Sequence, residues 1–194
     1  MPLKQIADLM CDKFKLLEDN KKVINISRGL SGFNFELANN GLDIIGLRGD
    51  EVEVDLRSLF FQLESFSLQY NVVGANSTMS YYDREKIVKD HFGENKFQFG
   101  ICIEAANHIE PYYFDCFPSL FSLLEVKHVW WTSAIETGES PFSWERAFGE
   151  YGFVVDWELT YEVKKQVLSM PKVNSFFHRS NLIIFKNIKK EKKQ

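Results

Sequence analysis

Two stretches of the chain hold residue types whose spacing could do chemistry. The first is Asn25-Ile26-Ser27-Arg28-Gly29-Leu30-Ser31-Gly32. Glycines in a turn let the backbone come close to a ligand. A helix opening just after the turn presents N–H groups with no intrahelical partner. About twenty residues on, Arg48-Gly49-Asp50-Glu51 closes an apolar run. An acid there would accept hydrogen bonds from ribose hydroxyls, whereas Arg48 could meet a 2′-phosphate. The second stretch is Glu104-Ala105-Ala106-Asn107-His108-Ile109-Glu110-Pro111. Imidazole titrates near neutrality, so His108 could take the proton of a hydroxyl nucleophile. It could equally cap or pack the turn, and Glu104 is either a strand-end acid facing a ligand or a loop charge.

The elements that must position these residues are readable from their apolar spacing. Val23, Ile24 and Ile26 form a short run suited to a buried parallel strand. Phe33, Leu37 and Ala38 recur at helical spacing, and Asn39-Asn40-Gly41 supplies the stop. Leu42 to Leu47 is a second strand. Together these make a βαβ unit with a glycine-bearing first turn, the arrangement that cradles nucleotides in doubly wound folds.

The rest of the chain adds strands and helices around that unit. Leu3 to Leu17 places Leu3, Ile6, Ala7, Met10, Phe14 and Leu17 on one helical face. Val52, Leu56, Leu59, Phe60, Leu63 and Phe66 predict a helix over Glu51 to Gln69, followed by a third strand at Tyr70 to Gly74. Asn76 and Ser77 then sit just beyond that strand, as a turn or as hydrogen-bonding contacts to a base. A helix is expected over Tyr81 to Phe92, and FQFGICI at Phe97 to Ile103 is the most apolar strand. A helix over Tyr112 to Leu124 precedes a fifth strand, Val126 to Thr132, in which Trp130 and Trp131 must face opposite sides. Both could be core, or Trp131 could line a pocket mouth. Ser133 to Ser140 is a polar loop, and Pro141 opens a helix bearing Trp144 and Phe148. Leu159 to Leu168 reads as a further helix. NLIIFKN centres a last strand, and KNIKKEKKQ is a charged tail.

Composition narrows the classes. The 194 residues, 45% hydrophobic and with 18 Phe, suit one substantial core, so residues 1–194 are expected to form a single domain, with an N-terminal helix in 1–20 and a charged tail over 187–194. A net charge of -4 gives no general nucleic-acid footprint. Cys11, Cys102 and Cys116 show neither metal spacing nor a disulfide framework, so buried, reduced thiols and no bound metal are expected. The sequence has no long apolar stretch for a membrane span and no signal-peptide core at its start, which predicts a cytoplasmic protein.

In order along the chain, the glycine turn, the strand-end charges, FQFGICIEAANHI, the aromatic helix running into Gly152-Phe153 and the final strand resemble class I S-adenosylmethionine-dependent methyltransferases. The resemblance spans about Val23 to Lys186. It implies an α/β, Rossmann-like, mostly parallel seven-stranded sheet with helices on both faces and an antiparallel last strand beside the fifth. It implies S-adenosylmethionine as cofactor, held by Asn25, Ser27, Gly29, Ser31, Arg48, Asp50, Asn76 and Glu104. It implies a catalytic role for His108 with a hydroxyl acceptor, and an acceptor side formed by His108, Trp131 and Trp144. The chain departs from the pattern where Asn25 replaces an acid, Ser27 and Ser31 replace glycines, and Arg48 stands where the ribose-binding acid is expected. The resulting expectation is a methyltransferase acting on a small or sugar-like acceptor, at oxygen. The alternatives are a degenerate binding or scaffold protein on the same fold, and a different nucleotide-handling enzyme that uses Arg48.

Overall fold

A computed structural model describes residues 2–16, 21–27, 31–48, 64–67, 81–93, 97–103, 116–133, 141–170 and 182–189. Its elements in chain order are α1 (Pro2–Lys13), β1 (Lys22–Ser27), α2 (Ser31–Asn39), β2 (Asp43–Arg48), β3 (Glu64–Ser67), α3 (Tyr81–Phe92) and β4 (Phe99–Ile103). They continue with α4 (Cys116–Leu123), β5 (His128–Thr132), α5 (Pro141–Glu150), β6 (Phe153–Val155), α6 (Trp157–Ser169) and β7 (Ile183–Asn187). The strands hydrogen-bond in the order β3-β2-β1-β4-β5-β7-β6. β1 through β5 run parallel, and β7 is antiparallel to both of its neighbours. The fold is α/β and Rossmann-like with a mixed sheet, and the last strand lies antiparallel beside the fifth as expected.

Strand alternation divides the core into two layers. Val23, Phe99, Ile101, Trp130 and Ile184 face one side, where α1, α2 and α6 contribute Ile6, Met10, Phe33, Leu37, Val163 and Val167. Ile24, Ile26, Cys102, Val129, Trp131 and Phe185 face the other, against Phe92 of α3, Phe117 to Leu124 around α4, and Trp144 and Phe148 of α5. The near-continuous apolar composition of β1 and β4 follows from this burial on both faces. Cys11 and Cys102 are buried thiols, neither of them in a disulfide, and burial pushes the Cys11 thiol up to about 11.

The local stops follow backbone chemistry. At the end of α2 the Gly41 amide donates to Ala38 and the Leu42 amide to Leu37. This double closure needs a left-handed residue, supplied by Gly41 at φ +87°. At the start of α6, Asp156 accepts from the Leu159 amide at 3.0 Å, while its own amide donates to Ile184 of β7. The same helix is pinned further in, where buried Thr160 accepts from the Ile184 amide at 2.9 Å. Asp156→Ala therefore removes a cap from a helix that anchors β7. The expected loss is about 1 kcal/mol, measured as a lower urea midpoint at unchanged slope. Lys13 and Glu162 form an ion pair that joins α1 to α6.

One stretch corrects the sequence reading. A helix was expected through Gln69 and the third strand over Tyr70 to Gly74, yet β3 occupies Glu64–Ser67 and pairs with β2. Leu63 and Phe66 continue the helical spacing of the residues before them, but Ser65-Phe66-Ser67-Leu68-Gln69-Tyr70 also alternates polar and apolar. Period two wins there, because a parallel partner strand satisfies the backbone. Residues 49–63 and 68–80 lie outside the described residues, including the predicted helix start and the strand expected over Tyr70 to Gly74.

Candidate functional site

The chain runs outward from β1 to β2 and β3, then returns to the other side of β1 for β4. The helices that follow β1 and β4 lie on opposite faces: α2 packs with one core layer, α4 with the other. The carboxyl ends of β1 and β4 therefore flank the switch point of the sheet, the place where open α/β sheets have their ligand crevice. Register aligns the rim. Ile26 pairs with Leu47, Arg48 with Ser67, Ser27 with Ile103, and Ile103 with Thr132. The β1–α2 connection is three residues, 28–30, so the α2 N-terminus opens beside the end of β1.

Asn25 is placed where the resemblance expects an acid. It is 2% exposed, on the face of β1 that meets α2. Its Nδ2 donates to Asn34 Oδ1 of α2 at 2.5 Å. Asn25 is also the register partner of Gly46 in β2. A Cβ on Gly46 would stand 2.8 Å from Asn34 Nδ2, so the Asn34 amide lies across both strands. A charged carboxylate at position 25 would be costly at this depth without a cation or several donors. A neutral amide facing another amide satisfies the position and ties the helix to the strands directly below the crevice. The Asn25–Asn34 pair thus forms an internal link between β1 and α2 at the position where the resemblance expects an acid.

The remaining predicted residues divide as follows. Ser27 ends β1, Ser31 opens α2 and Arg48 ends β2, so all three are at the rim. Gly29, Asp50, Asn76, Glu104 and His108 lie outside the described residues. Trp131 and Trp144 are 0% and 2% exposed, with ring centroids 4.3 Å apart. Trp131 also meets Phe117 and Phe148 edge-on. These are core contacts, and they hold α4 and α5 against β5 just beneath the rim. Trp130 faces the opposite layer, as alternation requires.

Sequence reasoning missed Asn34 and Gly46, and also Thr132 and Ser133, which are buried polar residues at the end of β5. A faint signal existed for Asn34. Asn is a weak helix former, so its place inside α2 needed a reason. No pattern along the chain announces its pairing with Asn25.

No family model matches the chain, and no curated protein does. Solved structures do match. A TehB-like SAM-dependent methyltransferase from Corynebacterium glutamicum shares 10% identity at a TM-score of 0.53, with 94% of this chain and 95% of that one covered. A SAM-dependent methyltransferase from Archaeoglobus fulgidus shares 14% at a TM-score of 0.55, covering 95% and 94%. The [4+2]-cyclase SpnF shares 8% at a TM-score of 0.55, covering 95% and 80%. The chain thus has the class I S-adenosylmethionine-dependent methyltransferase fold. That fold is also used by a protein described as a cyclase, so the fold does not by itself assign the reaction.

Proposed function

We propose that the chain is an S-adenosylmethionine-dependent methyltransferase acting on a small or sugar-like acceptor at oxygen, built on a seven-stranded sheet with β7 antiparallel. The observation that carries the reading is the switch point between β1 and β4, where Ser27, Ile103 and Thr132 stand in register and α2 begins three residues after β1. Two of the three compared structures are described as SAM-dependent methyltransferases, which supports S-adenosylmethionine as the cofactor in this reading. Bound there, S-adenosylmethionine supplies an electrophilic methyl group on a sulfonium.

The protein's own work in this reading is positioning. Asn25 and Asn34 fix the spacing of α2 over β1 and β2, and so aim the helix N-terminus at the crevice. Gly29 keeps the turn clear. Ser27 and Ser31 offer hydroxyl hydrogen bonds at the two ends of that turn. Arg48 or Asp50 meets the ribose edge, Asn76 the adenine and Glu104 the end of β4. His108 removes the acceptor proton, and holding the acceptor in line supplies the larger part of the rate. Trp131 and Trp144 support the acceptor side from behind. The single-domain organisation, a cytoplasmic location and an acceptor other than nucleic acid belong to the same proposal. Among the described residues, no helix is long and apolar enough to cross a membrane.

A second reading is favoured by the amide pair. With Asn25 engaged by Asn34, the fold could persist as a binding module without transfer chemistry. Calorimetric titration with S-adenosylmethionine and with S-adenosylhomocysteine separates the two. One-to-one micromolar binding of both ligands, weakened at least several-fold by Asn25→Ala, is the expected result. A folded chain that binds neither would favour the scaffold reading, and NADP would be the next ligand to titrate, for the reading that uses Arg48.

A further inference from the structure

Among the described residues, the exposed large hydrophobics are Val154, Trp157, Tyr161 and Leu168. All four fall between β6 and the end of α6. Trp157, Tyr161 and Leu168 are spaced i, i+4 and i+11, which at 3.6 residues per turn places them in one stripe along the helix. They are 59%, 73% and 59% exposed. A different side of α6, about 100° round the helix, is already used, since Thr160, Val163 and Val167 are buried. The stripe therefore adds nothing to the core of this chain, yet it places two aromatic rings in water. β6 beside it is the last strand in the sheet order.

The charges beside the stripe have a polarity. Glu158 and Glu162 lie in the first half of α6, Lys164 and Lys165 in the second. Glu158 and Lys165 are both exposed, and they stand on the same flank of the stripe. In two copies of such a helix laid parallel, this flank of each copy falls on opposite sides of the contact, so Glu158 and Lys165 cannot meet. Laid antiparallel about a two-fold axis, Glu158 of each copy meets Lys165 of the other, Trp157 approaches Leu168, and the two Tyr161 rings cross near the axis. Opposed helix dipoles favour the same direction. A surface complementary to itself in this way is what an isologous dimer requires.

We infer that the chain forms a two-fold homodimer through antiparallel α6–α6 packing, with Trp157, Tyr161 and Leu168 as its apolar centre and reciprocal Glu158–Lys165 pairs at its rim. The surface lies on the β6–β7 side of the sheet, away from the β1–β4 crevice, so the inference stands independently of the cofactor reading.

Sedimentation equilibrium of the full chain across a concentration series tests it. The wild-type protein is expected to show a monomer–dimer equilibrium. Tyr161→Glu and Leu168→Glu are each expected to give a monomer with unchanged far-ultraviolet circular dichroism, because both side chains are exposed. Glu158→Lys alone should weaken the dimer several-fold, and Glu158→Lys combined with Lys165→Glu should restore it, since the swapped charges again meet reciprocally. That restoration is not expected if the charges matter only to helix stability. A wild-type chain that stays monomeric at every concentration overturns the inference and turns the stripe toward a different protein or a lipid surface. A dimer that survives both glutamate substitutions overturns it by locating the interface elsewhere.

Discussion

Phe148→Ala is expected to lower the unfolding free energy by about 3–5 kcal/mol, the range for truncating a fully buried aromatic. Phe148 is 0% exposed. Its ring stacks on Phe185 of β7 with centroids 3.8 Å apart and planes 10° from parallel. It also meets Trp131 of β5 at 5.2 Å and Phe153 of β6 at 5.6 Å, both edge-on. One side chain on α5 thus joins three strands, and the surrounding rings are too large to collapse into the space it would leave. Small domains have total stabilities of about 5–15 kcal/mol, so this single loss is a large share. Urea unfolding at equilibrium is the measurement, with a lower midpoint and an unchanged slope expected. Phe148→Leu should lose less, because it keeps part of the volume. A loss for Phe148→Ala below about 1 kcal/mol would contradict the stacking that defines this core layer.

The same cluster shows why much of the fold could be read from the sequence. Apolar residues at strand and helix periods dominate the segments around β1, α2, β2, β4 and β5, and each of these elements appears within a few residues of its expected bounds. Gly41 and Gly152 marked real ends, since both adopt positive φ at +87°. The opposite faces of Trp130 and Trp131 followed from geometry that no packing detail could alter. The reading failed at Glu64 to Ser67, where the helical spacing that runs through Leu63 and Phe66 overlaps with strand alternation. Propensity along the chain could not choose between them; the free edge of β2 did.

The candidate site was legible to a lesser degree, for a physical reason. Its rim is set by where strands end, and strand order follows from which connections cross to which face. Ser27 ends β1, Ser31 opens α2 and Arg48 ends β2. What distinguishes this chain, however, is a contact between residues nine apart, the Asn25–Asn34 amide pair. Read alone, Asn25 is a lost acid. Beside Asn34 and Gly46 it is a replacement that keeps the strand–helix spacing without a buried charge. That meaning exists only once α2 is folded back over β1.

The same sheet supports a sharper test at Gly100, the second residue of β4. A Cβ at this position would stand 2.6 Å from Cε1 and 2.7 Å from Cδ1 of Phe121, and 3.2 Å from Cγ1 of Val126. Phe121 is itself 0% exposed and lies near-parallel to Phe148 at 6.4 Å, so its ring has no solvent to move into. Gly100→Ala is therefore expected to destabilise by about 1–3 kcal/mol despite adding a single methyl, the usual cost of overpacking a dense core. Gly100→Val should cost more. A neighbour that yields should relieve the strain: with Phe121→Leu already in place, the further loss from Gly100→Ala should shrink by about 1 kcal/mol or more, a coupling that a double-mutant cycle in urea isolates. Additive losses would mean that the ring is not what keeps position 100 a glycine. Because β4 ends at Ile103, in register with Ser27 and Thr132 at the crevice, Gly100→Ala should also weaken S-adenosylhomocysteine binding under conditions where the chain remains folded. Phe121→Leu should restore part of that binding, since the displaced element is a strand that carries the rim.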